Sequence, residues 1–351
     1  MSAEEYPAVQ YSSEDDRPGW IEVCASVSGH RINPETWNKS RQHSDKRRQQ
    51  SESMATRYFE LTGESLYKET EEELLLWDFC NQDQSDRVKT LNQYRNVKAL
   101  PDVASQRSQA VARDLSYTIE NELQEGETCH YWVCTAGPRC SLAEVPAARR
   151  YLNRKLGKID KILSDYGQRL LFKSHEVTYD EKSNTWHPHS NVVVVHTRWL
   201  RKPELRERNE RVRAALGAHF SDNGRLKNVA EVTKYITKPD SVVGLSDADF
   251  VEFVSQSFGA RDYECYSDLR RFRSDLKESG ERVSKMFNEH TGSWEARITL
   301  KRQVQRSVAD INSTSVASPQ VAWIMAPGAH FDNEMRPVAL VRLPKGCVFN
   351  P

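Results

Sequence analysis

Apolar positions along this chain keep two rhythms. The run Val192-Val193-Val194-Val195 is β-branched and continuous, the pattern of a buried central strand. Leu170-Leu171-Phe172 opens a second extended segment that continues through His175, Glu176 and Tyr179, and Asp180-Glu-Lys-Ser-Asn184 between the two is rich in turn formers. The spacing predicts an antiparallel hairpin. Tyr131-Trp-Val-Cys-Thr135 reads as a further strand, and Ser141 to Leu163 as a helix with arginines and lysines on its outer face. After Asn223-Gly224, read as a turn, helical periodicity begins: Val229, Val232 and Ile236 share one stripe, while Lys227, Glu231, Lys234, Tyr235 and Lys238 fall on the opposite arc. Pro239 disfavours helical geometry at Lys238 and ends that helix. The fold expected is α+β, an antiparallel sheet with helices packed on it, preceded by a helical N-terminal region.

Two segments of this pattern carry chemistry. In a strand, residues two apart share a face, so His187 and His189 project together while Pro188 faces away. Two neutral imidazoles so placed can share a divalent ion. Pro188 donates no ladder bond, which places it at a strand start or an edge. From the neighbouring strand either His175 or Glu176 can face the pair, but alternation admits only one. Glu176 is preferred, because a carboxylate oxygen suits Mg²⁺ or Mn²⁺. Taken alone, these residues also describe two surface histidines and a glutamate paired with a cross-strand lysine. In Glu231-Val-Thr-Lys-Tyr235-Ile-Thr-Lys238 the glutamate and tyrosine stand four apart, side by side on a helix; alone this too is an ordinary solvated face. Together the two segments offer what phosphodiester cleavage needs: a nucleophile, a Lewis acid and cations for the oxyanions. A phenol, with a pKa of about 10, needs such neighbours to act as a nucleophile.

Trp186-His187-Pro188-His189-Ser-Asn-Val-Val-Val-Val resembles the HUH motif of rolling-circle replication initiators. Glu231-x-x-x-Tyr235-x-x-Lys238 resembles the third motif of the plasmid Rep family, which has a single catalytic tyrosine. Tyr131–Thr135 and Leu269–Leu276 match looser family segments, so the resemblance covers roughly residues 110–285. It implies a metal held by His187, His189 and Glu176, Tyr235 as nucleophile, Glu231 activating water for the closing step and Lys238 on the phosphate. The partners it implies are plasmid origin DNA, single-stranded at the nick, with a host helicase and DNA polymerase to follow. A mobilisation relaxase or a single-tyrosine transposase shares this chemistry, and a non-catalytic DNA-binding regulator is the reading from another class. Asn191 stands where a third histidine often follows the pair. No cysteine cluster lies upstream, so no structural zinc is expected there, and no second tyrosine lies one helical turn from Tyr235.

The chain has 351 residues and a formal net charge of zero, so DNA binding has to rest on local patches. Lys39-Ser-Arg41 with Lys46-Arg47-Arg48, and Arg149-Arg150 with Arg154-Lys155, are candidates. The run from Arg201 to Arg213 alternates with glutamates and reads as a solvated helix face. The seven cysteines form no CxxC pair and read as reduced thiols. No apolar run is long enough to span a membrane, and cytoplasm is the expected location. Four regions are expected: a polar, partly disordered segment over 1–65, a mostly helical connector over 66–110, the nuclease domain over 111–285, and a region of unreadable role over 286–351.

Overall fold

The computed structural model describes residues 34–69, 72–77, 88–135, 137–233, 242, 244–288, 293–300, 320–322, 330–331 and 337–344. In chain order the elements are α1 (Pro34–Thr62), β1 (Glu72–Trp77), β2 (Val88–Leu91), α2 (Pro101–Asn121), β3 (Thr128–Thr135), a 3-10 turn (Leu142–Glu144) running into α3 (Val145–Ser164), β4 (Gln168–Asp180), β5 (Thr185–His196), α4 (Lys202–Leu216), β6 (Phe220–Arg225), α5 (Val229–Val232), α6 (Asp247–Ser257), β7 (Tyr263–Cys265), α7 (Ser267–Glu278), β8 (Glu281–Asn288), β9 (Ser293–Leu300), β10 (Gln320–Ala322), β11 (His330–Phe331) and β12 (Pro337–Pro344). The architecture is α+β. Its centre is a five-stranded antiparallel sheet in the order β6-β3-β5-β4-β7. A second sheet joins β10, β12, β1 and β2, with β11 on β12, and β8 pairs with β9 as a separate hairpin.

The central hairpin forms where the alternation puts it. Asn184 takes a positive φ of 48° in the turn, and from there β4 and β5 run in register from Asp180↔Thr185 inward. At the far end the register shifts between Leu170 and Phe172. This bulge turns Leu171 and Phe172 both towards one side, where they join Val193 and Val195 in a core with Val111 and Leu115 of α2, Val232 of α5 and Leu269 of α7. On the other side Val192, Val194, Leu170 and Trp132 pack against Leu152, Leu156, Ile159 and Leu163, one stripe of α3. Each of the four valines is fully buried, a contribution of roughly 1.5–3 kcal/mol apiece.

Several expectations are corrected. Residues 40–53, expected to be partly disordered, lie in α1, because its second half buries Met54, Ala55 and Tyr58 in a core with Phe250, Phe253 and Val254 of α6. Buried Ser51 also accepts a hydrogen bond from the Asp102 amide (2.9 Å), capping the start of α2. The connector expected to be mostly helical over 66–110 holds two strands; Leu74, Leu75 and Leu76 lie in β1, paired with β12. The boundary at 110/111 falls inside α2. Asn223-Gly224 is not a turn between elements but part of β6: two residues oppose Tyr131 between the pairs His130↔Arg225 and Trp132↔Asp222, with Gly224 at φ +77°. Among the described residues no helix is long and apolar enough to cross a membrane. Cys129, Cys134, Cys140 and Cys265 are free thiols.

Candidate active site

β5 places His187, His189 and Asn191 on the side of the sheet that faces α2 and α5. β3 ends at Thr135↔His189, so beyond that point β5 has β4 as its ladder neighbour and Pro188 lies on a local edge, where its missing N–H leaves no β3 acceptor unfilled. β4 sets Glu176 directly opposite His189 and Ser174 opposite Asn191. Glu176 Oε2 lies 3.1 Å from His189 Nε2 and accepts a hydrogen bond from Asn191 Nδ2, also at 3.1 Å. Asn191 is held in turn by Tyr131, whose hydroxyl donates to Asn191 Oδ1 at 2.7 Å. The outcome is a chain, Tyr131–Asn191–Glu176–His189, on one face of three adjacent strands.

His175 points the other way. Its Nδ1 meets Ser190 Oγ at 2.7 Å and its Nε2 meets Asn153 Oδ1 of α3 at 2.8 Å. Burial, with Lys173 and Arg149 nearby, pushes its pKa down to about 3. The alternation argument therefore separates the two side chains, Glu176 to the histidine pair and His175 to the helix.

His187 and His189 have ring centroids 6.0 Å apart at a tilt of 35°. Burial, His189 and Arg139 hold the His187 pKa low, which keeps the imidazole neutral, the form that binds a metal. Burial also disfavours protonated His189, but its hydrogen bond to Glu176, the charge of that carboxylate and the His187 carbonyl 3.3 Å from Nδ1 outweigh it and raise the pKa. Both ring nitrogens of His189 thus face acceptors. Among the described residues no three His, Cys, Asp or Glu side chains gather as a ready ligand group; Glu176 and His189 are paired at 3.1 Å. The donor set of two imidazoles and one carboxylate on a common strand face nevertheless fits a divalent cation in kind, with Asn191 and Tyr131 positioned to orient the carboxylate.

The second segment is described only as far as Thr233. Val229 and Val232 pack against the core under β5, which brings the backbone of Glu231 onto the histidine face. Ser174 Oγ donates to the Val232 carbonyl and Ser108 Oγ of α2 to the Thr233 carbonyl. The chain returns at Val242 and Leu245, buried in the cluster that holds Val177 and Trp186, the neighbours of Glu176 and His187. The Glu231 side chain, Lys234, Tyr235, Ile236 and Lys238 lie outside the described residues.

Two groups were not visible as site features in the sequence. Asn191 entered only as a missing histidine, and Tyr131 only as part of a strand. Their cross-strand contact depends on the β3–β5 register, which periodicity does not supply. In the Arg201–Arg213 run, Arg201, Arg206, Glu207, Glu210, Arg211 and Arg213 are exposed, as expected of a solvated face, but Arg208 is fully buried, bonded to Gln168 Oε1 at 3.1 Å and Asp222 Oδ2 at 2.8 Å over the Trp132 ring. Comparison with protein-family models, with curated proteins and with solved structures finds no match to this chain.

Proposed function

We propose that this protein is a metal-dependent DNA-nicking endonuclease and strand transferase of the HUH type, acting as a plasmid rolling-circle replication initiator. The observation that carries the reading is the contact between the strand of Glu176 and the start of the segment that bears Glu231. Glu176 stands in register with His189, and two residues back on the same strand face Ser174 holds the carbonyl end of the helix that bears Glu231. Residues two apart on a strand are about 7 Å apart.

In this reading the Tyr235 hydroxyl oxygen attacks the scissile phosphorus of a single-stranded origin segment. The bond from phosphorus to the 3′ oxygen breaks, the tyrosine keeps the 5′ phosphate, and the 3′ hydroxyl leaves with a proton to prime synthesis by a host polymerase behind a helicase. A divalent cation held by His187, His189 and Glu176, Mg²⁺ or Mn²⁺, supplies Lewis-acid polarisation of the phosphate when bound. Asn191 and Tyr131 orient Glu176. Lys238 bears on the phosphate oxyanion, and Glu231 takes a proton from water in the closing cleavage.

The test is cleavage of labelled single-stranded DNA carrying candidate origin sequence, in Mn²⁺ or Mg²⁺ against EDTA. Wild type should give a metal-dependent covalent protein–DNA band on a denaturing gel, and Tyr235→Phe should give none. An adduct that survives in the variant moves the nucleophile elsewhere. Binding without any cleavage would favour the regulator.

A further inference from the structure

At the edge of the central sheet, just before β7, a cavity of about 410 Å³ opens between residues 96–98, α2 and residues 259–264. Lys98, Arg107 and Arg261 stand in its wall with Asp262 and Glu264. An adjoining pocket shares Lys98, Ala260 and Asp262 and adds Arg149 of α3. Four cations thus surround these two cavities. The negative charge there is already committed: Asp262 Oδ2 pairs with buried Lys98 at 3.1 Å, and Glu264 with buried Lys173 at 3.0 Å. Arg107 has the neutral amide of Asn96 at 2.5 Å. The Nε atoms of Arg107 and Arg149 are buried without an acceptor, against one acceptor, Asp262 Oδ1, without a donor. Buried guanidinium donors left unpaired are costly, and two such Nε atoms lie here.

The location ties this cluster to the candidate active site. The His175 amide donates to the Asp262 carbonyl at 2.7 Å, so the cavity wall runs beside β4 one residue from Glu176, about one strand spacing of 5 Å away. Arg107 directly precedes Ser108, which holds the Thr233 carbonyl. Planar guanidinium forks match the oxygens of a phosphate.

We propose that the cavity walled by Lys98, Arg107 and Arg261, with Arg149 in the adjoining pocket, is a phosphate subsite that takes a backbone phosphate of the single strand flanking the scissile one. That the phosphate belongs to DNA rests on the nuclease reading; the anion chemistry does not.

The experiment uses the full chain as wild type and as Arg107→Gln/Arg261→Gln, two residues outside the cleavage machinery. Single-strand binding is measured over a range of salt with oligonucleotides in which one linkage at a time is an uncharged methylphosphonate. Wild type should lose about tenfold in affinity when one particular linkage is neutralised. The double variant should show the same loss on every oligonucleotide, no further loss at that linkage, and a salt slope smaller by about 0.7. A parallel arm measures the rise in melting temperature caused by inorganic phosphate over chloride at equal ionic strength, which should vanish in the variant; Arg107→Lys should retain part of it. If phosphate stabilises wild type but single strands bind without any linkage coupled to these arginines, the site takes free phosphate and the DNA assignment falls. If wild type binds no single strand at all, it is the nuclease reading that fails, while the phosphate arm still decides the anion site. Equal salt slopes together with no phosphate response overturn the proposal.

Discussion

Tyr131, Asn191, Glu176 and His189 act as one unit, because each side chain is bonded to the next from strand to strand, once between β3 and β5 and twice between β5 and β4. Removing the outermost link should therefore be felt at the innermost. Tyr131→Phe deletes one hydroxyl, leaves the ring in the core, and frees the Asn191 amide to turn away from Glu176. Orienting groups of this kind change metal affinity or activity by about 10–100-fold. If the protein nicks as proposed, the expected result is a loss of that size in origin cleavage at limiting Mn²⁺, with substantial recovery at high Mn²⁺. A loss that no Mn²⁺ concentration recovers would assign Tyr131 some other role. Glu176→Gln should abolish the recovery, since an amide neither carries the charge nor accepts at both oxygens.

At the level of elements, stability turns on a few points where backbone and side chain leave no alternative. Gly167 joins α3 to β4 at φ +66°, and a Cβ there would stand 2.9 Å from Thr197 Oγ1. Its carbonyl meanwhile accepts from both the amide and the hydroxyl of Thr197. Gly167→Ala should cost about 1–2 kcal/mol for the left-handed backbone alone, read as a lower urea midpoint. Arg208→Ala should cost more, about 3–5 kcal/mol, because it strands Asp222 and Gln168 in the interior. The hairpin and the helix over 145–164 were legible in the sequence, since both follow from local period and turn chemistry; alternation also showed that His175 and Glu176 face opposite ways, but which of them meets the histidines was chosen on ligand chemistry. β6 was not, because Asn223-Gly224 is as good a bulge as a turn and only the pairing with β3 decides. Nor was α1, whose polar first half hides a packing face that exists only once α6 is in place. Arg208 sits in a run of alternating charge, and nothing in that pattern marks the one arginine that α4 turns inward over Trp132.

Across the whole molecule the two faces of the sheet differ in what acid does to them. On the α3 side lie His175 and His196, both held neutral. Burial is the main cause in each; Lys173 and Arg149 add to it at His175, and His130 and Arg208 add to it at His196, so both fall to about 3 against an ordinary 6.5. His196 stacks on His130 at 3.8 Å and meets Gln168 at 3.3 Å, within the same network as Arg208 and Asp222. The unfolded chain binds protons at these histidines from pH 6.5 downward, whereas the folded chain refuses them until about pH 3. Their stabilisation is therefore complete above pH 6.5 and is lost progressively as the pH falls towards 3. Asp222 follows lower down: burial opposes its charge, but His130, the Gly224 amide and Arg208 hold it at about 2, so its contribution persists above 3.8 and fades only towards pH 2. His189 has the opposite sign, since its raised pKa stabilises the fold at low pH and that share disappears as the pH rises past its folded value. Between pH 6.5 and 4 the α3-side histidines should dominate. Urea unfolding at pH 7.5, 5.5 and 4.5 should show wild type losing stability stepwise, and His175→Asn/His196→Asn, though less stable at pH 7.5, losing distinctly less over the same interval. Parallel curves for the two proteins would mean that the acid sensitivity of this fold lies outside the buried histidines.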